Sequence, residues 1–249
     1  MMPLARALRV VGDAEELAAT AAAHFVRSAQ RAVAARGQFT VALAGGRSPR
    51  RTYEKLAETA EQIRVDWPRV RVFFGDERAV PPDDAASNYG AAWAALLSKV
   101  PVAAANVHRM KAERSDLERA ADEYADELRR AVAADASGTP EFDLVLMGMG
   151  EDAHVLSLYP GCALIDDDEV LVGALRRPPM NPAVDRLTLG PRVLRAAREL
   201  VLIASGKGKA KALADAIGGA DDAARVPAQL LRRARGEASV YADRDASGG

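Results

Sequence analysis

The 249-residue sequence predicts an α/β protein in which a largely parallel sheet is covered by helices on both faces. Three observations predict it. Short, almost uniformly apolar runs at Phe39 to Ala44, Val70 to Phe74 and Phe142 to Met147 read as strands buried on both sides. Alanine-rich or amphipathic stretches of helical length lie between the strands. Each of the three apolar runs passes directly into glycine-containing sequence, where a strand leaves the sheet for its crossover.

In chain order, Leu8 to Val11 is a first short strand, and Asp13 caps an alanine-rich helix to Ala35 with Glu15 and Glu16 in its first turn. Phe39 to Ala44 leads through Gly45-Gly46-Arg47-Ser48-Pro49 into a helix ending near Glu61, with Ser48 as its cap and Pro49 in its first turn. Val70 to Phe74 ends in Gly75-Asp76-Glu77-Arg78, and the prolines in Val80-Pro81-Pro82-Asp83-Asp84 exclude regular structure there. Asn88 to Leu97 is helical, with Ser87 as a cap, and Val107 to Met110 is a short strand candidate. Ser115 to Ala134 is a charged amphipathic helix with Leu117, Ala121, Tyr124 and Leu128 on one stripe.

Phe142 to Met147 is the most apolar strand, and Val170 to Ala174 and Arg186 to Leu189 are further strands. Pro191 to Ala197 is a short helix, Glu199 to Ala204 a strand and Lys207 to Ile217 a helix. Ser239 to Ala242 reads as a last edge strand, and 243–249 as a frayed end. No repeat or long linker divides the chain, so one domain over 1–249 is expected.

Composition narrows the function. With 34 basic and 35 acidic residues the formal net charge is −1, so the general basic field of a nucleic-acid binder is missing. The single cysteine, Cys162, excludes an intramolecular disulfide and a multi-cysteine metal site. No apolar run reaches the roughly 18 residues of a membrane span. The first residues lack a long apolar core, and acids begin at Asp13. A cytoplasmic protein with neither a nucleic-acid nor a membrane partner is the expectation.

Ligands of parallel α/β sheets bind outside the carboxyl ends of the strands. Four clusters fall at such ends. Gly45-Gly46-Arg47-Ser48 offers backbone N–H groups and a helix N-terminus to an anion, although a tight strand-to-helix turn explains the same residues. Gly75-Asp76-Glu77-Arg78 places an arginine suited to phosphate beside Asp76, a candidate to orient a base or a sugar hydroxyl; a surface turn with an ion pair is the plainer account.

Gly148-Met149-Gly150-Glu151-Asp152-Ala153-His154 puts a histidine two positions after an acid that can fix its tautomer. Ser205-Gly206-Lys207-Gly208-Lys209 places Lys207 at a strand end near a phosphate, with Lys209 and Lys211 as solvated helix residues. His24, in mid-helix, and His108, near a short strand, lack such a setting and read as structural. One well-placed histidine and scattered carboxylates make no recognisable metal-ligand set.

In this order and spacing, VALAGGRSPRRTYEKLAE, VFFGDERAVPPDDAASNYG, FDLVLMGMGEDAHVLSLYPG, RLTLGPRVLRAARELVLIASGKGKAKAL and VPAQLL resemble the 6-phosphogluconolactonases, from about Phe39 to Leu231. The resemblance implies a three-layer, Rossmann-like α/β/α fold related to ribose-5-phosphate and glucosamine-6-phosphate isomerases. It implies hydrolysis of 6-phospho-D-glucono-1,5-lactone to 6-phosphogluconate in the oxidative pentose phosphate pathway, with no metal or organic cofactor.

By the same resemblance His154 is the general base, Asp76 and Arg78 are acidic and substrate-contacting positions, Gly45, Gly46 and Ser48 form the sugar-phosphate loop, and Lys207 is a basic position near substrate. A functional link to glucose-6-phosphate dehydrogenase and a monomer or small homo-oligomer are expected. The sequence departs from the family pattern at Ala153, usually glycine, Val155, usually threonine or similar, Leu156, usually alanine, and Arg47, more often serine. Two alternatives remain: a glucosamine-6-phosphate isomerase or deaminase, against which Ser157 to Gly161 carries no carboxylate, and a sugar-phosphate-binding homologue without turnover.

Overall fold

A computed structural model describes residues 4–58 and 63–248. Six strands form one parallel sheet: β1 (Leu8–Val11), β2 (Phe39–Leu43), β3 (Val70–Phe74), β5 (Leu144–Gly148), β8 (Glu199–Ala204) and β9 (Glu237–Asp243), in the order β1-β9-β8-β5-β2-β3. All five residues of β2 are buried, and so are all but the first residue of β8, because helices cover the sheet. The helices are α1 (Ala14–Arg36), α2 (Arg47–Leu56), α3 (Asn88–Ala92), α4 (Leu117–Ala131), α5 (Pro191–Ala196), α6 (Ala210–Gly218) and α7 (Arg244–Ser247).

The chain adds β3 on one side of β2 and then places β5, β8 and β9 on the other. The order therefore reverses between β2 and β5, and the loops leaving these two strands part to open a crevice at their carboxyl ends.

A second, antiparallel sheet, absent from the sequence reading, runs β4 (Asp76–Arg78), β7 (Arg186–Leu189), β6 (Val172–Leu175). Gly75 joins the two sheets. Its N–H donates to Leu43 O of β2 at 2.7 Å, and its carbonyl accepts from Leu189 N of β7 at 2.7 Å. The cluster Asp76-Glu77-Arg78 is thus a strand and not a loop, with Asp76 opposite Thr188 and Arg78 opposite Arg186.

Other expectations change in detail. Ser239–Ala242 belongs to β9, which is interior between β1 and β8. Residues past 243 do not all fray: Asp243 caps α7 through Ala246 N, and Ala246 is buried. Helix α2 starts at Arg47 with Gly46 at its cap position and no side-chain cap, so Ser48 lies inside the first turn. The expected end of that helix, Glu61, lies outside the described residues. Val107 contributes a single bridge to Val72 in place of a strand. Trp93–Leu97 continues α3 as a π-helical turn. No helix among the described residues is long and apolar enough to cross a membrane.

One buried side chain fixes where β2 ends and the following loop begins. The Tyr53 hydroxyl of α2 accepts from Ala44 N at 3.0 Å and donates to Ala44 O at 2.8 Å, and burial pushes its ionisation well above the ordinary range. Both backbone groups of Ala44 lose these partners when the hydroxyl is removed. Tyr53→Phe is expected to lower unfolding free energy by about 1–3 kcal/mol, measured by urea denaturation; an unchanged midpoint would show that water replaces the hydroxyl.

Candidate active site

A cavity of about 480 Å³ opens at the β2–β5 reversal. Gly45, Gly46, Arg47 and Ser48 line it from the β2 loop, Asp76 and Arg78 from β4, and His154 from the loop after β5. Asn88, Asn181, Arg186, Ser205 and Lys209 complete the polar lining. Lys207 is exposed and does not line the cavity. It opens a tight 3-10 turn, Lys207–Lys209, which carries the lysine two positions later to the cavity beside Arg47. Burial lowers the Lys209 pKa; Arg47 adds to that, while Glu151 and Asp152 oppose it.

The His154 side chain is held from behind. Its Nδ1 lies 2.6 Å from Asp152 Oδ1, which also accepts the His154 backbone N–H at 3.1 Å. An ionised Asp152 can only accept, so Nδ1 carries the proton and Nε2 keeps its lone pair. The hydrogen bond from His154 holds the Asp152 carboxyl down at about 2, against partial desolvation. Asp152 lines a neighbouring cavity with Lys211 and Arg225 and reaches the main one only through His154.

Gly150 makes the pairing possible: a β-carbon there would fall 2.0 Å from His154 Nδ1 and 2.3 Å from Asp152 Oδ1. Its N–H donates to His154 O at 2.9 Å and closes the turn.

Asp76 is buried and does not touch His154. Its Oδ2 accepts from Ser157 Oγ at 2.7 Å and its Oδ1 from Asn88 Nδ2 at 3.0 Å. Ser157 thereby ties the turn that carries His154 to the second sheet. Glu77 points elsewhere and organises the start of α3. It accepts backbone N–H groups of Arg78, Asn88 and Tyr89 and the Ser87 hydroxyl. Burial raises its pKa while those donors pull it down.

The electrostatic lining is one-sided. Arg47, Arg78, Arg186 and Lys209 face one carboxylate, Asp76, and none of the four makes an ion pair among the described residues. Arg186 is 1 % exposed. Its Nη2 donates to Pro182 O at 3.0 Å, and Arg78 Nη1 donates to Ala86 O at 2.6 Å. The Nε atoms of both arginines are buried without a partner. Burial pulls the Arg186 pKa down, and neighbouring Arg78 works in the same direction. Like charges opposite one another in a sheet are unfavourable, and unpaired buried donors more so. The first N–H groups of α2, which also borders the cavity, lack helical partners and add positive potential.

Sequence reasoning missed Arg186, Ser157 and Lys209. An arginine opening an otherwise apolar strand was the available signal for the first. His24 and His108 lie away from the cavity. His24 bridges Tyr241 and Glu199 at 2.6 and 2.8 Å, and His108 contacts Glu127 at 2.6 Å and stacks on Phe73.

The family model described as glucosamine-6-phosphate isomerases/6-phosphogluconolactonase matches residues 12–240. A Mycobacterium leprae protein named 6-phosphogluconolactonase is 37 % identical over 229 residues, covering 90 % of this chain and 91 % of the relative. A rice protein named probable 6-phosphogluconolactonase 3, chloroplastic, is 35 % identical over 245 residues, covering 95 % of this chain and 74 % of the relative. The solved structure of 6-phosphogluconolactonase from Trypanosoma brucei superposes with a TM-score of 0.86 at 28 % identity, covering 97 % of each chain.

The turn between the two dyad residues stores strain. Ala153 has φ 67°, a left-handed conformation that glycine adopts freely and alanine does not. Ala153→Gly is expected to raise stability by about 0.5–1 kcal/mol, the relief exceeding the added chain entropy. A thermal melt measures it, and a lower melting temperature would contradict strain at this position.

Proposed function

The chain belongs to the glucosamine-6-phosphate isomerase/6-phosphogluconolactonase family, and from that membership we propose how its cavity works. The protein hydrolyses 6-phospho-D-glucono-1,5-lactone to 6-phosphogluconate, a step of the oxidative pentose phosphate pathway. The observation that carries the reading is a histidine, held from behind by Asp152, that shares one cavity with four cations free of ion pairs among the described residues. A phosphate and a reacting carbonyl on one small molecule answer both features. A cytoplasmic setting and a functional link to glucose-6-phosphate dehydrogenase, which makes the lactone, belong to the same reading.

The substrate phosphate sits at Gly45, Gly46 and Ser48, with Arg47 and Lys209 supplying charge. His154 Nε2 takes a proton from water, and the hydroxide adds to the lactone carbonyl carbon. Negative charge then grows on the carbonyl oxygen. Of the backbone groups nearby, the Gly150 N–H already donates to His154 O. The cavity-lining guanidinium groups of Arg78 and Arg186 are the positive charges best placed to meet it.

Collapse of the tetrahedral intermediate breaks the bond from carbon to ring oxygen. The imidazolium of His154 returns its proton to that oxygen, which leaves as a hydroxyl, and the new acid ionises. Asp152 holds the imidazole and stabilises its charged form; Asp76, fixed by Ser157 and Asn88, is placed for a sugar hydroxyl. The isomerase alternative gains nothing from the geometry: Ser157 occupies the segment where a second acid was sought, and its hydroxyl is committed to Asp76.

His154→Asn keeps a polar side chain that can still donate to Asp152 and removes the base. Its kcat should fall about 10²–10⁴-fold in an assay on freshly generated lactone corrected for spontaneous opening. Full activity in a folded variant would remove His154 from the chemistry.

A further inference from the structure

Leu156 stands out in a cavity otherwise built for charge. It is a leucine at φ 53°, it is 6 % exposed, and it lines the cavity wall together with His154 and Asp76. Its backbone is clamped on both sides. Val155 and Leu158 exchange N–H to carbonyl bonds at 3.3 and 2.9 Å, and Ser157 is tied to Asp76. The side chain lies over Gly75: a β-carbon there would fall 2.6 Å from Leu156 Cδ2 and 3.4 Å from Cδ1. Positions 75 and 156 therefore share one volume, immediately before Asp76. A branched side chain kept in a left-handed conformation gives no local advantage over glycine. What it supplies is bulk.

We propose that Leu156 is a specificity-determining residue, an apolar wall that reads the size of the sugar-lactone ring and rejects rings carrying an extra substituent on that side. An isobutyl group offers no hydrogen bond to a hydroxyl, so it discriminates by contact alone. Hydrophobic contact of this kind is worth about tenfold to two-hundredfold between ligands differing by one small group. The inference rests on the lactonase reading for its substrate class. It concerns a contact that neither the base nor the phosphate loop makes.

The test compares the unsubstituted lactone with its mono-O-methyl ethers at O2, O3 and O4, by kcat/KM, in the native protein and in Leu156→Ala. The Kd values of the four corresponding acids are measured alongside. The native protein should disfavour at least one ether about tenfold or more, and Leu156→Ala should reduce that ratio at least fivefold while leaving the other ratios in place. Identical ratios in the two proteins overturn the proposal. If Leu156→Ala does not fold, Leu156→Gly removes the same bulk and also relieves the left-handed backbone, and the same ratios decide. A native protein that turns over none of the lactones refutes the lactonase reading instead, and the Kd ratios still decide the role of Leu156.

Discussion

Arg186 is buried opposite the half-buried Arg78 in an antiparallel pair, and the site depends on the cost of holding that guanidinium out of water. Two guanidinium groups in adjoining strands, each with a buried unpartnered Nε, are tolerable in a folded protein only with compensation nearby. Asp76 supplies part of it from the same strand as Arg78. Both side chains also line the cavity. An anionic ligand or a transition state that gathers negative charge meets donors already fixed in place, with no reorganisation required at the moment of reaction.

The same constraint explains the layout around it. The second sheet holds the two arginines, while the parallel sheet supplies the anion loop after β2 and the dyad turn after β5. Gly75 and Ser157 join these parts, the first through backbone bonds to both sheets and the second through Asp76. The proposed base, the cations and the proposed anion loop are thus positioned by strand ends and short turns. Rigid placement of this sort suits a reaction that also proceeds unaided, where one base and good orientation suffice.

The parallel sheet was legible because strands buried on both faces leave continuous apolar runs, and the anion loop and His154 segment were legible because glycines and polar residues follow those runs directly. The second sheet was not. Asp76-Glu77-Arg78 has no apolar alternation, and its pairing with Arg186-Leu187-Thr188 joins residues more than a hundred positions apart.

Strand β9 read as an edge because Glu237, Ser239 and Tyr241 interrupt its apolar residues, yet both its neighbours are formed by distant segments. The choice between Lys207 and Lys209 depended on the pitch of a three-residue turn. Ala153 and Leu156 were visible as departures from the family pattern, but their left-handed backbone, which gives the departures physical meaning, appears only in the fold.

The proposed pose puts a phosphate at the Gly45-to-Ser48 segment and a reacting carbonyl beside His154. A crystal structure with bound 6-phosphogluconate tests it most directly. The phosphate is expected against Gly45, Gly46, Ser48 and Lys209, and the carboxylate between His154 and the side chains of Arg78 and Arg186. A product bound in the opposite sense, with its phosphate on Arg78 and Arg186 and its carboxylate away from His154, would contradict it.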